Sequence, residues 1–157
     1  MTPAPPGSRA SRGPLPEVDH AAREVVRTVL PLRRPVVTAH GTEREKQVVL
    51  VRARDADGRE GWGECPALRA PTYTGEWADG AEAVLRRFLI PAALAGRPSG
   101  VVGHPMAAGA VEAALLQLRL AAAAETLPGW LGAVRDRVRC GVAVGIADTV
   151  DALVAEV

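Results

Sequence analysis

Few side chains in this chain are spaced for chemistry, and each has a structural use as well as a chemical one. Glu64 ends the segment Gly61-Trp62-Gly63-Glu64. A carboxylate there can move protons, but general acid–base work needs a second carboxylate or a histidine at hand, and none is near in sequence. Glu64 therefore reads as a structural hydrogen-bond acceptor. His40 lies in a loop-like stretch, PVVTAHGT at 35–42, with Thr38 and Gly41. Loops on a rigid scaffold carry binding groups, so His40 is a candidate for ligand contact. Tyr73, the lone tyrosine, stands between Thr72 and Thr74 and is another. His104 precedes Pro105 and reads as support for a helix start, and Glu112 as a partner for nearby backbone or loop.

Other motifs fall short of their chemistry. Cys65 and Cys140 are far apart, with no CxxC and no adjacent histidine, so a structural zinc site is not supported and a reduced setting is the simpler expectation. No Ser-His-Asp or Cys-His set can be assembled. Gly58, Gly61 and Gly63 do not match GxGxxG, and there is no GxxxxGK. They read as glycines of a hairpin and a tight strand exit. Gly100-Val101-Val102-Gly103 has the letters of an RNA-clamping GXXG, but its centre is apolar and its flanks lack clustered basic residues.

The elements that must position these residues can be outlined from pattern. Residues 1–21 are rich in Pro, Gly, Ser and Arg without apolar period, and are expected to be a disordered tail. Val25–Leu32 is expected to be a first strand, followed by the 35–42 loop. Val48–Ala67 is expected to hold two further short strands joined at Asp57-Gly58, the second ending in Gly61-Trp62-Gly63-Glu64; Asp-Gly supplies the positive backbone angles of a tight hairpin. After a loop at 66–75, Trp77, Ala81, Val84, Leu85, Phe88 and Leu89 recur at helical spacing, with Pro91 expected to break that helix. Pro105 opens a second helix at a position proline tolerates, with Met106, Val111, Leu115 and Leu118 as its buried stripe and an end at Pro128-Gly129. Trp130-Leu131-Gly132 is expected to be a short turn. The apolar run Val138–Ile146 is expected to be a strand buried on both faces. Asp148 is expected to cap a last helix with Asp151 in its first turn.

Composition bounds the function classes. The chain has 157 residues, enough for a hydrophobic core, and 48% are apolar. Aromatics are only 3%, so that core must be Ala, Val and Leu. Nineteen Lys and Arg against eighteen Asp and Glu leave a net charge of +1, which gives no reason to expect nucleic acid or an acidic membrane as partner. No apolar run reaches membrane-spanning length, and the N-terminal residues lack a secretory apolar core, so a cytoplasmic location is expected.

Six segments together resemble the N-terminal part of the enolase superfamily, in its muconate-lactonizing subgroup. The match is nearest to the o-succinylbenzoate synthase and N-acylamino acid racemase family. In order, they are PLRRPVVTAHGT at 31–42, DADGREGWGECPA at 55–67, PTYTGEW at 71–77, GHPMAAGAVEAAL at 103–115, LGAVRDRV at 131–138 and GVAVGI at 141–146. The resemblance implies an α+β fold: a three-stranded antiparallel meander and a helical bundle forming a capping domain at 22–132. Residues 133–157 would then be the start of a (β/α) barrel. In that family a barrel lysine removes a proton next to a carboxylate while Mg²⁺ stabilises the enediolate. Loss of water serves menaquinone synthesis in the synthase, and reprotonation on the other face completes the racemase reaction.

Residue by residue, the resemblance makes 37–41 a substrate-specificity loop, so Thr38, Ala39 and His40 would border substrate, joined by Tyr73 of the matched PxYxxE segment. Ala143, on the first barrel strand, would face the site where N-acyl-binding relatives often carry Ser. Glu76 belongs to the matched PxYxxE segment. Lys46 stands where the family usually has Arg, Gln117 where an acidic residue is typical, and Ala108 where Lys is common. No catalytic lysine and no Mg²⁺ ligand can be assigned to a position of this chain.

A complete barrel takes about 250 residues, and only eleven follow Ile146. The expectation is therefore a cap with the first βα unit of a synthase-like enzyme, inactive alone and meeting a small carboxylate substrate only when completed by a barrel. A cap of a racemase is one alternative. The other is a binding module or split-enzyme subunit that self-associates, or pairs with a separate barrel chain, through the exposed strand 138–146.

Overall fold

The computed structural model describes residues 14–16, 20–38, 41–141, 144 and 146–156. Three strands form one antiparallel sheet in the order β1-β2-β3: β1 His20–Thr38, β2 Gly41–Asp55 and β3 Glu60–Cys65. The expected α+β meander with helices is what forms. On the core side, Val49, Val51 and Ala53 of β2 alternate inward with Gly61, Gly63 and Cys65 of β3. The opposite face is a charged ladder in which Arg52 meets Glu24 and Glu60, and Arg54 meets Glu60. The Arg52 guanidinium also lies 5.5 Å from the centre of the Trp62 ring.

β1 is longer than the expected Val25–Leu32 at both ends. His20 and Ala21, placed in the tail by composition, already belong to it, because pairing with β2 imposes extension that local composition does not encode. The expected loop at 35–42 is also largely ladder: Val36 pairs with Glu43, Val37 with Thr42 and Thr38 with Gly41. The irregularity sits earlier. Pro31 pairs with Glu45 and Val36 with Glu43, so residues 32–35 bulge opposite Arg44. Pro35 has no N–H for a ladder bond, and a bulge is where a strand tolerates that.

The Asp57-Gly58 hairpin is present, but as a three-residue loop. Gly58 N–H donates to Asp55 O at 3.1 Å, and Asp55 N–H to Arg59 O at 3.1 Å. Gly58 alone takes positive φ, at 81°. Asp55 locks the loop from inside: its carboxylate accepts from Arg59 N–H at 2.9 Å and from Arg59 Nε at 2.7 Å.

The first helix does not break at Pro91. α1 Ala78–Val84 runs through a π turn, Leu85–Leu89, into α2 Ile90–Leu94, which holds Pro91 in its first turn. Ile90 N–H reaches Leu85 O, one residue further back than in an α-helix. This wider turn carries the chain past a residue that has no N–H. It also turns Phe88 outward to 54% exposure, against the expectation, and points Leu85, Leu89 and Ile90 into the core.

α3 Pro105–Ala122 starts where expected and ends sooner, because Ala124 takes a left-handed φ of 50° and Glu125 N–H closes back on Leu120 O. Its buried face is Ala107, Ala110, Val111, Ala114 and Leu118, with Met106 and Leu115 only partly covered. Leu85 and Leu118 are fully buried, each worth about 1.5–3 kcal/mol of apolar transfer. The segment at Trp130 is a short helix, α4 Leu127–Leu131, capped by the Thr126 hydroxyl accepting from Gly129 N–H at 3.1 Å.

No strand forms among the described residues of 138–146, and Val138 and Ile146 are 82% and 61% exposed. A parallel strand buried on both faces needs neighbouring strands and covering helices. Among its described residues, Ile146 N–H donates to Val37 O of the sheet at 3.1 Å. α5 Val150–Glu156 follows, with Asp151 in its first turn as expected. Its N-terminal donor is met by Thr149 rather than Asp148: Ala152 N–H donates to Thr149 Oγ1 at 3.1 Å.

Candidate functional site

The glycines of GWGE are neither turn nor nucleotide residues. A Cβ on Gly61 would lie 2.1 Å from Ala114 O, and one on Gly63 would lie 1.9 Å from Ala110 O. Glycine on β3 and alanine on α3 thus let strand backbone lie directly on helix backbone. Gln117 completes this seam: its Oε1 accepts from Trp62 N–H at 2.6 Å. The amide at this position serves the strand–helix contact.

Glu76 holds the other end of α3. It is 2% exposed; its Oε1 accepts from Met106 N–H at 2.7 Å and its Oε2 from Ala107 N–H at 3.1 Å. A carboxylate at the positive end of a helix meets two donors that have no partner within the helix. His104, at the cap position, offers no side-chain cap bond, and its Nδ1 lies 3.8 Å from Glu76 Oε2. In the sequence Glu76 stands out only as part of the PxYxxE segment. The available signal was a helix opened by His-Pro, whose donors must be satisfied from elsewhere. Beside it Cys65 is fully buried; burial, with smaller contributions from Glu76 and Glu64, pushes its thiol up and leaves it a core residue.

This frame opens a cleft of about 320 Å³ between the first half of β2 and the loop after β3. Thr42, Glu45 and Lys46 line one side, and Leu68, Arg69 and Thr72 the other. Arg69 bridges to Glu45 at 2.6 Å across the opening, and Lys46 to Glu64 at 3.0 Å. Glu64 is thus an ion-pair acceptor. The loop is tied at its far end, where Ala78 N–H donates to Leu68 O at 2.8 Å.

Neither Thr38 nor Tyr73 is among the residues that line this cleft. Thr38 is exposed at the β1–β2 tip, its hydroxyl donating to Gly41 O at 3.2 Å. Tyr73, next to the lining Thr72, is 86% exposed. Ala39, His40 and Ala143 lie outside the described residues. Glu112 is exposed on α3. Among the described residues no three His, Cys, Asp or Glu side chains come together to hold a metal ion, and no helix is long and apolar enough to cross a membrane.

Residues 21–130 match the N-terminal domain model of the mandelate racemase/muconate lactonizing enzyme family. An N-succinylamino acid racemase of Amycolatopsis is 43% identical over 140 residues, covering 83% of this chain and 38% of that protein. An o-succinylbenzoate synthase of Geobacillus stearothermophilus is 34% identical over 129 residues, covering 76% of this chain and 34% of its own length. The solved structure of a probable mandelate racemase from Alicyclobacillus acidocaldarius superposes with a TM-score of 0.72 at 37% identity, over 84% of this chain and 39% of that one. The chain therefore spans a little over a third of the length of the relatives it matches. With residues 21–130 matching that domain and 43% identity to a relative over 83% of its length, this chain belongs to the mandelate racemase/muconate lactonizing enzyme family of the enolase superfamily, through its N-terminal domain.

Proposed function

We propose that the chain acts as the capping domain of an o-succinylbenzoate synthase-like enzyme. Its β1–β2 tip, with Thr38, Ala39 and His40, and its 66–77 loop, with Tyr73, would border a small carboxylate substrate. The observation that carries this reading is the bond from Ile146 N–H to Val37 O. It holds the chain beyond the helices against the strand that leads into the tip, where barrel and cap must meet if both are to touch one substrate.

Family membership implies Mg²⁺ in the intact enzymes, where it stabilises the charge that develops when a proton leaves the carbon next to a carboxylate. The described side chains supply no ligand cluster for it, so the work assigned to this chain is to bind, orient and exclude water. The metal and the base are the barrel's to provide. The racemase reading has its own support, since identity to the Amycolatopsis N-succinylamino acid racemase is 43% against 34% to the Geobacillus synthase.

Mixing the purified chain with the barrel portion of the Amycolatopsis racemase and Mg²⁺ tests the assignment. Deuterium exchange at the α-carbon of an N-succinylamino acid, followed by proton NMR, should appear in the mixture and in neither component alone. Parallel turnover of the synthase substrate separates the two readings. Exchange by this chain alone, or none in the mixture, would overturn the cap assignment.

A further inference from the structure

Arg23 of β1 and Arg119 of α3 form a positively charged pair that the fold only partly explains. Arg23 Nη1 donates to Ile90 O at 3.4 Å, while its Nε and Nη2, and Arg119 Nε, are shielded from water with no hydrogen-bond partner among the described residues. No ion pair ties either guanidinium to a carboxylate among the described residues. Burial, and then the charge of Arg119, pull Arg23 below the usual arginine value. Unsatisfied, partly desolvated guanidinium donors are costly and are ordinarily met by an acceptor.

Arg119 also lines a groove of about 640 Å³ between α3 and α4. Leu15, Leu115, Leu116 and Trp130 make its walls, with Glu112 toward the earlier turns of α3. That volume lies within the range of small-molecule sites, which combine apolar walls with a few polar groups. The planar guanidinium fork selects a carboxylate or phosphate-like anion. Apolar walls and the nearby Glu112 carboxylate favour a single negative charge on a hydrophobic body over a small dianion.

We infer that the α3–α4 groove binds an amphiphilic monocarboxylate, with its head on Arg119 and its apolar body between Leu115, Leu116 and Trp130. Arg23 acts as a positioning residue: its charge behind Arg119 strengthens the field on the head group without touching it.

Octanoate is the probe, with 1-octanol as its uncharged match and inorganic phosphate as the charge without the tail. Titration calorimetry on the full chain should show one octanoate site saturating below about 3 mM, with octanol and phosphate at least about tenfold weaker. The Trp130 indole N–H resonance should shift with the same saturation, a readout that needs no variant. Arg119→Gln should weaken octanoate at least about tenfold, Arg119→Lys less, and Arg23→Gln about three- to tenfold, each with unchanged far-ultraviolet circular dichroism. Octanol binding as tightly as octanoate, full affinity in Arg119→Gln, or no saturable shift of Trp130 would each overturn the site.

Discussion

Replacing Gly63 by alanine adds one methyl group where strand and helix backbones touch. The added Cβ would lie 1.9 Å from Ala110 O, 2.8 Å from Ala110 C and 3.1 Å from Ala110 Cα. A carbon–oxygen contact under 3.0 Å is essentially never seen, so α3 must withdraw by roughly 1 Å, loosening the dispersion contacts of the whole seam. Overpacking costs about 1–3 kcal/mol when side chains can adjust. Here all three contacts are backbone atoms of Ala110, so the expected loss is about 3 kcal/mol, or roughly 6–12 °C in Tm for a chain of this size. Urea unfolding followed by circular dichroism measures it, with the m-value checking that the transition stays two-state. Gly109→Ala is the control on the same helix: nothing lies within 4 Å of its Cβ, and helix propensity predicts a gain of about 0.5–1 kcal/mol. Gly58→Ala isolates backbone strain, since its Cβ is also unobstructed but φ is +81°, and about 1–2 kcal/mol is expected. A Gly63→Ala variant within about 0.5 kcal/mol of the parent would refute the close-contact account.

Two further substitutions probe the polar locks. Glu76→Ala strands the Met106 and Ala107 N–H groups at the buried start of α3 and should cost about 2–4 kcal/mol in urea unfolding; Glu76→Gln, which keeps one acceptor oxygen, should cost less, and equal losses would argue against the paired-donor role. Asp55 carries a pH signature. Burial by itself would raise its pKa, but the side-chain and backbone hydrogen bonds and the charge of Arg59 outweigh this and hold it below the usual carboxylate value. A depressed folded-state pKa stabilises fully above the unfolded value of about 3.9, and that contribution is lost as pH falls toward the folded value. The stability gap between the parent and Asp55→Asn should therefore shrink from about pH 6 to about pH 2.5, whereas a gap constant across that range would remove Asp55 from the acid response.

Sequence pattern determined what depends on near neighbours: the Asp57-Gly58 hairpin, the start of α3 at Pro105, and six ordered segments that point to an enolase-type cap. Tertiary structure decided what depends on distant ones. Glycine spacing in GWGE suggested turns, yet the glycines exist because α3 lies on β3, about fifty residues away in sequence. Pro91 locally forbids a helix, and a π turn admits it because Leu85, Leu89 and Ile90 all find the same core. The apolar run at 138–146 has the composition of a buried strand, but burial is conferred by neighbours, and among its described residues Val138 and Ile146 stay exposed. Glu76 shows the same division most plainly: its motif was legible, but its task, closing a helix thirty residues on, is a property of the folded chain. Local backbone preferences are written residue by residue, whereas close approach, capping at a distance and burial require two parts of the chain to meet.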